Sequence, residues 1–168
     1  MSRTDWTLQA LRAFPATLAL AIDDVPRDAL DWRPASWDGI PSEALTIRQQ
    51  LCHLRDIEAD GYLVRFQRLL AEPDPVLESI DTYALVESRS YDRSDVGQSL
   101  EDFTGARAKT MRLLGAVKPS DLSRRGEFEG YGPVTLLGMI HNLCSHDQQH
   151  LAGIQWLLGR YAASDRAA

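Results

Sequence analysis

The 168-residue sequence predicts an all-α fold, a four-helix bundle with long connecting loops, on three observations. Apolar residues recur with helical spacing in four long segments, and no run alternates with the period of a strand. Each helical segment carries an apolar stripe, which has to be buried against the others. Length and composition point to a single domain spanning 1–168: 44% of residues are hydrophobic and 25% charged, enough to close a core without disulfides.

The first helix is expected from Asp5 to Asp24, with Leu8, Leu11, Leu18 and Ile22 on one face. Pro15 either kinks it or resets its start, and Val25-Pro26 ends it. The connection Arg27 to Leu45 holds Pro34, Gly39 and Pro41, and its tryptophans, Trp32 and Trp37, call for packing against the body. Helix two starts near Thr46, with Gln49 as capping partner, and runs to Ala71 before Pro73 on a stripe of Ile47, Leu51, Leu54, Gly61 and Val64. Glu72 to Arg93 forms the second connection, with a short helical piece around Tyr83 to Glu87. Helix three begins at Ser94 or Asp95, capped with Gln98, and passes Leu100, Phe103, Met111 and Leu114 to Gly115. A third connection contains Pro119 and the run from Gly126 to Gly132. Helix four opens at Pro133, a residue suited to a first turn, and extends through Leu136, Ile140, Leu143, His150, Ile154 and Leu157 to Tyr161. Long connections permit crossovers, and periodicity leaves the helix order open.

Acidic residues outnumber basic ones by 24 to 18, a net charge of −6 that repels nucleic-acid phosphates and anionic membrane surfaces. The basic pair Arg124-Arg125 is followed by Glu127 and Glu129 and reads as a solvated loop. No stretch approaches the roughly 20 apolar residues of a membrane span, and the polar start Met1 to Trp6 lacks a signal-peptide core, so the expected location is the cytoplasm. Cys52 and Cys144 fit no CxxC motif and read as small buried hydrophobes in a reducing compartment.

Of the four histidines, His146 and His150 stand four residues apart on helix four, on one face and about 6 Å apart along the axis, a spacing that suits two ligands of one ion. They continue the apolar stripe inward, where each neutral imidazole needs partners for its donor and acceptor. His53, between the apolar positions Leu51 and Leu54 of helix two, completes a set of three. Three imidazoles with a fourth position left free describe an open site, whereas closed structural zinc sites take four protein ligands. His141 lies about 140° from His146 and about 180° from His150, away from that face. Asp56 and Asp147 are candidate acceptors for a ligand's other ring N–H, although exposed helix carboxylates are the commoner case. A set of hydrogen-bonded core histidines without a metal remains the alternative.

The segments Ala29-Leu30-Asp31-Trp32-Arg33-Pro34, Leu51-Cys52-His53-Leu54-Arg55-Asp56-Ile57-Glu58 and Ser145-His146-Asp147-Gln148-Gln149-His150-Leu151 resemble, in order and spacing, the DinB-like (DinB/YfiT) superfamily of metal-binding four-helix-bundle proteins. The resemblance implies one divalent transition metal ion, zinc, nickel or iron, held by His53, His146 and His150. It also implies a metal-dependent enzyme acting on a small-molecule substrate, a low-molecular-weight-thiol-dependent S-transferase or a related hydrolase. A thiol cofactor of the mycothiol, bacillithiol or glutathione kind belongs to the transferase case. A non-catalytic metal-binding or stress-response module is the other class. Two positions depart from the pattern: Gly153, where members often carry glutamine, and the longer loop Trp37 to Ala44. Members of this family often pair, and Trp6, Leu8, Leu11, Phe14 and Leu18 spread apolar surface over more than one face of helix one, so a homodimer is expected.

Overall fold

The computed structural model describes residues 5–164, so positions 1–4 and 165–168 of the predicted domain and N-terminus lie outside it. Helix α1 spans Asp5–Asp23 and continues through Pro15, which excludes a later start. Helix α2, Ile47–Asp56, opens on the predicted capping box: Thr46 accepts from the Gln49 backbone and the Gln49 side chain accepts from the Thr46 N–H. A π-helical segment, Ile57–Tyr62, joins it without a break to α3, Leu63–Ala71. Such wide turns occur mostly as local bulges in α-helices, frequently beside functional sites.

The predicted stripe fails at Val64, which is exposed, whereas Arg65 is buried. Its guanidinium donates through Nε and Nη2 to the Glu78 carbonyl at 3.1 and 2.8 Å and lies 4.5 Å from the Phe128 ring centre. Hydrophobicity alone favours the valine, but a carbonyl and an aromatic face make the arginine the better-satisfied core residue. Next come β1 at Val76–Leu77, the short helix α4 at Thr82–Ser88 and α5 at Val96–Gly115, whose Asp95 cap accepts from the Gln98 N–H. Strands β2, Arg125–Phe128, and β3, Gly132–Thr135, precede α6, Leu136–Ala162.

The expected four-helix bundle is present, with one minor addition and one helix start to correct. A small sheet in the order β1-β2-β3 exists, parallel between β1 and β2 and antiparallel between β2 and β3. Its strands are too short for alternation to register, and one buried position of β2 is Gly126, where a Cβ would stand 2.8 Å from the Pro75 carbonyl. Pro133 does not open helix four. It lies in edge strand β3 opposite Glu127, where proline is tolerated, and Thr135 caps α6 by accepting from the Gly138 N–H at 3.0 Å.

Around the bundle, α1 packs on α5 and α6, and α2 packs on the same two helices. The pairs α1/α2 and α5/α6 therefore sit diagonally, whereas α2 and α5 are neighbours. Trp32 and Trp37 are half-buried and pack on the core, as their loop position predicts. The core divides into two apolar layers, one around Leu11, Phe66, Met111 and Leu143 and another around Phe14, Leu51, Phe103 and Ile154. Between these positions along α2, the π segment, α5 and α6 lie His53, Glu58, Arg107, Asp147 and His150, a buried polar layer across the middle of the bundle.

Candidate metal centre

His53 is carried by α2, and His146 and His150 by α6, and the packing of these two helices brings all three rings together. One nitrogen from each lies within 4.8 Å of the others. His146 Nε2 is 3.1 Å from His53 Nε2 and 3.2 Å from His150 Nε2. His53 and His150 are buried, while His146 is partly open to a cleft of about 100 Å³ lined by Tyr62, Ser79, Thr82 and Tyr131.

The tautomer of His150 follows from its partner. Gln50 Nε2 donates to Ser42 Oγ at 2.7 Å and to the carbonyls of Glu43 and Leu45 at 3.2 and 3.4 Å, so its Oε1 is the atom that faces His150 Nδ1. Nδ1 therefore carries the proton and Nε2 presents a lone pair to its two neighbours. Burial pulls the pKa of His53 down to about 4, partly offset by Asp56. Burial, reinforced by the neighbouring imidazoles, likewise holds His146 and His150 well below the usual histidine range. The three rings are neutral at pH 7, and His53 Nδ1 has no hydrogen-bond partner.

These residues fit a divalent ion. A tetrahedral shell on metal–nitrogen bonds of about 2.0–2.1 Å has edges of roughly 3.3–3.4 Å, close to the observed nitrogen separations. The His150 lone pair already points into the group, and a cation there would be met by a nitrogen from each ring.

The other expected residues have different roles. His141 faces α1, with Nδ1 3.1 Å from Thr7 Oγ1 and its ring stacked on Trp6, in line with its angle on the helix. Cys52 and Cys144 are free and buried, and burial pushes the Cys144 thiol up. Neither Asp56 nor Asp147 accepts a hydrogen bond from a ligand ring. Asp56 binds Arg55 and the Tyr91 hydroxyl, and its pKa is lowered although burial opposes this. Asp147 takes two hydrogen bonds from Arg107, at 2.7 and 2.8 Å, because it points toward α5 rather than α2. Gln50 occupies the supporting position instead. Its place one turn before His53 is a usable signal; Glu43, whose carboxylate reaches the triad, comes from an irregular loop that carries no such signal.

Among curated proteins none matches the chain. A solved structure, YfiT from Bacillus subtilis, described as a probable metal-dependent hydrolase with an unusual four-helix bundle topology, superposes with a TM-score of 0.83 at 23% identity, covering 96% of this chain and 90% of that one. The sequence pattern of the DinB superfamily matches residues 10–154, and on that match the chain belongs to the DinB superfamily.

Proposed function

We propose that this chain is a metal-dependent enzyme acting on a small molecule, with His53, His146 and His150 holding one divalent ion such as zinc, nickel or iron. The observation that carries the proposal is the meeting of three neutral imidazoles beside a cleft that His53 and His146 line. Such an ion supplies Lewis acidity, polarising a bound carbonyl or activating a nucleophile. Gln50 fixes the ring of His150 through Nδ1, leaving its other nitrogen free for the ion. Ile57, Tyr62 and Phe128 give the cleft apolar walls that limit water, while Ser79 and Thr82 offer hydroxyls at its edge.

Hydrolysis is the first reading, supported by the likeness to a probable metal-dependent hydrolase and by a cleft of about 100 Å³ beside the rings, large enough to admit water. Transfer to a low-molecular-weight thiol is the second: both cysteines of the chain are buried outside the cleft lining, so a thiol nucleophile must come from a cofactor. The ion also bridges α2 and α6, which gives a purely structural role a physical basis. Metal analysis of untagged protein, followed by ester, amide and thiol-transfer panels, separates these readings. Turnover abolished by a chelator and restored by metal supports the enzyme. Thermal stabilisation by metal without turnover supports the structural module, and absence of bound metal with no shift on adding zinc, nickel or iron overturns the centre.

The proposal includes a cytoplasmic protein, consistent with two free cysteines and with no described helix long and apolar enough to cross a membrane. It also includes a homodimer through α1. Leu11, Phe14 and Leu18 are consumed by the core, so the surface left for pairing is Trp6 and Leu20, 57% and 73% exposed. Light scattering giving 18.8 kDa over a wide concentration range would exclude the dimer.

A further inference from the structure

The loop preceding α2 delivers a carboxylate to the triad, and the reason it can do so lies on another helix. Gly153, buried on α6 one turn beyond His150, faces that loop. A Cβ at this position would collide with Ser42 Oγ and stand 3.1 Å from both Ser42 Cβ and Gln50 Nε2, so the absent side chain is what leaves room for Ser42 to dock. Ser42 Oγ accepts from Gln50 Nε2 at 2.7 Å and docks it. The next residue, Glu43, then places Oε2 3.3 Å from His150 Nε2 and Oε1 4.0 Å from His53 Nε2. Because His150 carries its proton on Nδ1, the 3.3 Å approach sets an imidazole lone pair against a carboxylate. The Glu43 side chain is 36% exposed and has solvent to turn to, yet it points at the rings.

We propose that Glu43 is a fourth protein ligand of the ion, carried by the loop and admitted by Gly153. The inference rests on the reading of the triad as a metal centre. Its separation of 3.3 Å from His150 matches the 3.1 and 3.2 Å within the triad, as expected of donors that share one cation. A carboxylate also brings negative charge that three neutral imidazoles lack. Four ligands on rigid helices would make a closed structural site, whereas a ligand on a partly exposed loop occupies a position that a substrate can take over by displacing it.

The test uses the full chain and two readouts, zinc affinity by competition with a chromogenic chelator and the visible spectrum of the cobalt(II)-loaded protein. Glu43→Gln should weaken zinc binding about tenfold to a hundredfold and change the intensity of the cobalt bands. Gly153→Ala, which displaces the loop and keeps the carboxylate, should move both readouts in the same direction. A Glu43→Gln cobalt spectrum identical to wild type overturns the ligand assignment whatever the affinity does, because charge alone does not alter coordination. An unchanged Gly153→Ala spectrum overturns the role of the glycine. Wild-type protein that takes up neither metal overturns the triad itself, an outcome distinct from the other two.

Discussion

Two buried polar clusters share the middle layer of the bundle, and they satisfy themselves in opposite ways. In one, the Arg107 guanidinium donates to both oxygens of Asp147, to Glu58 Oε2 at 2.9 Å and to the Leu11 carbonyl at 3.1 Å, so one side chain on α5 binds α1, α6 and the π segment. The rings of Phe14 and Phe103 lie 5.7 and 5.1 Å from it. Burial opposes its charge, but the two carboxylates raise its pKa above the ordinary value. In the other cluster, whose His146 and His150 lie one residue before and three residues after Asp147 on α6, three neutral imidazoles and the Glu43 carboxylate converge, with the His150 lone pair set against a carboxylate oxygen. Opposite charges hold the first cluster together within the chain, although Arg107 Nε and Glu58 Oε1 have no hydrogen-bond partner. Converging unmatched acceptors mark a place completed by a ligand.

The largest effect should come from breaking the ion-paired cluster. Arg107→Ala leaves Asp147 and Glu58 buried without a counter-charge and should cost about 3–5 kcal/mol, read as a lower urea midpoint with or without added metal. A loss below about 1 kcal/mol would mean that water enters to replace the guanidinium, and the contrast between the clusters would fail. Next in size is the ion itself. Zinc at about one hundred times its dissociation constant should add about 2.7 kcal/mol to wild-type stability, and His146→Ala or His150→Ala should abolish that increment. If the increment survives either substitution, the triad is not its source.

Much of this was readable in the sequence, and the gaps have a common cause. Thr46 with Gln49 and Asp95 with Gln98 are local capping signals, so the helix starts they predict appear where expected. The His146 and His150 spacing is likewise local to one helix. Partners set by tertiary packing were not legible: Arg107 is one polar residue among several on α5, and nothing in its neighbourhood announces a carboxylate 40 positions away. Glu43 is hidden for the same reason, since a loop has no periodicity from which to read direction. Asp147 is neither an acceptor for a ligand ring nor an exposed helix carboxylate, because its place about 100° around the helix from His146 turns it inward toward Arg107 and away from the rings.

Acidification sharpens the comparison because the clusters respond with opposite sign. His53 falls from 6.5 to about 4 on folding, so between those values the unfolded chain binds more protons and stability drops as pH falls. Asp147 moves the other way: burial, opposed by Arg107, pushes it from 3.8 up to about 6, so protonation between those values favours the folded state. Metal-free protein should therefore lose stability on going from pH 6.5 toward 4, only partly offset by Asp147. His150→Ala should flatten that dependence, and equal slopes in urea titrations of the two proteins would refute the assignment.

The smallest effect isolates the geometry from the chemistry of the residue. His141 stands on the same helix as two members of the triad, but its ring stacks on Trp6 at 6.2 Å and its Nδ1 meets Thr7 on α1. His141→Ala removes an imidazole without removing a candidate ligand. It should cost about 1 kcal/mol of stability for the lost hydrogen bond and leave zinc affinity within about twofold of wild type. Chelator competition on His141→Ala and His150→Ala side by side makes the comparison direct. Equal losses in the two would mean that affinity tracks the number of histidines in the chain rather than the face they occupy, and the convergence of the rings at 3.1 and 3.2 Å would then have no bearing on metal binding.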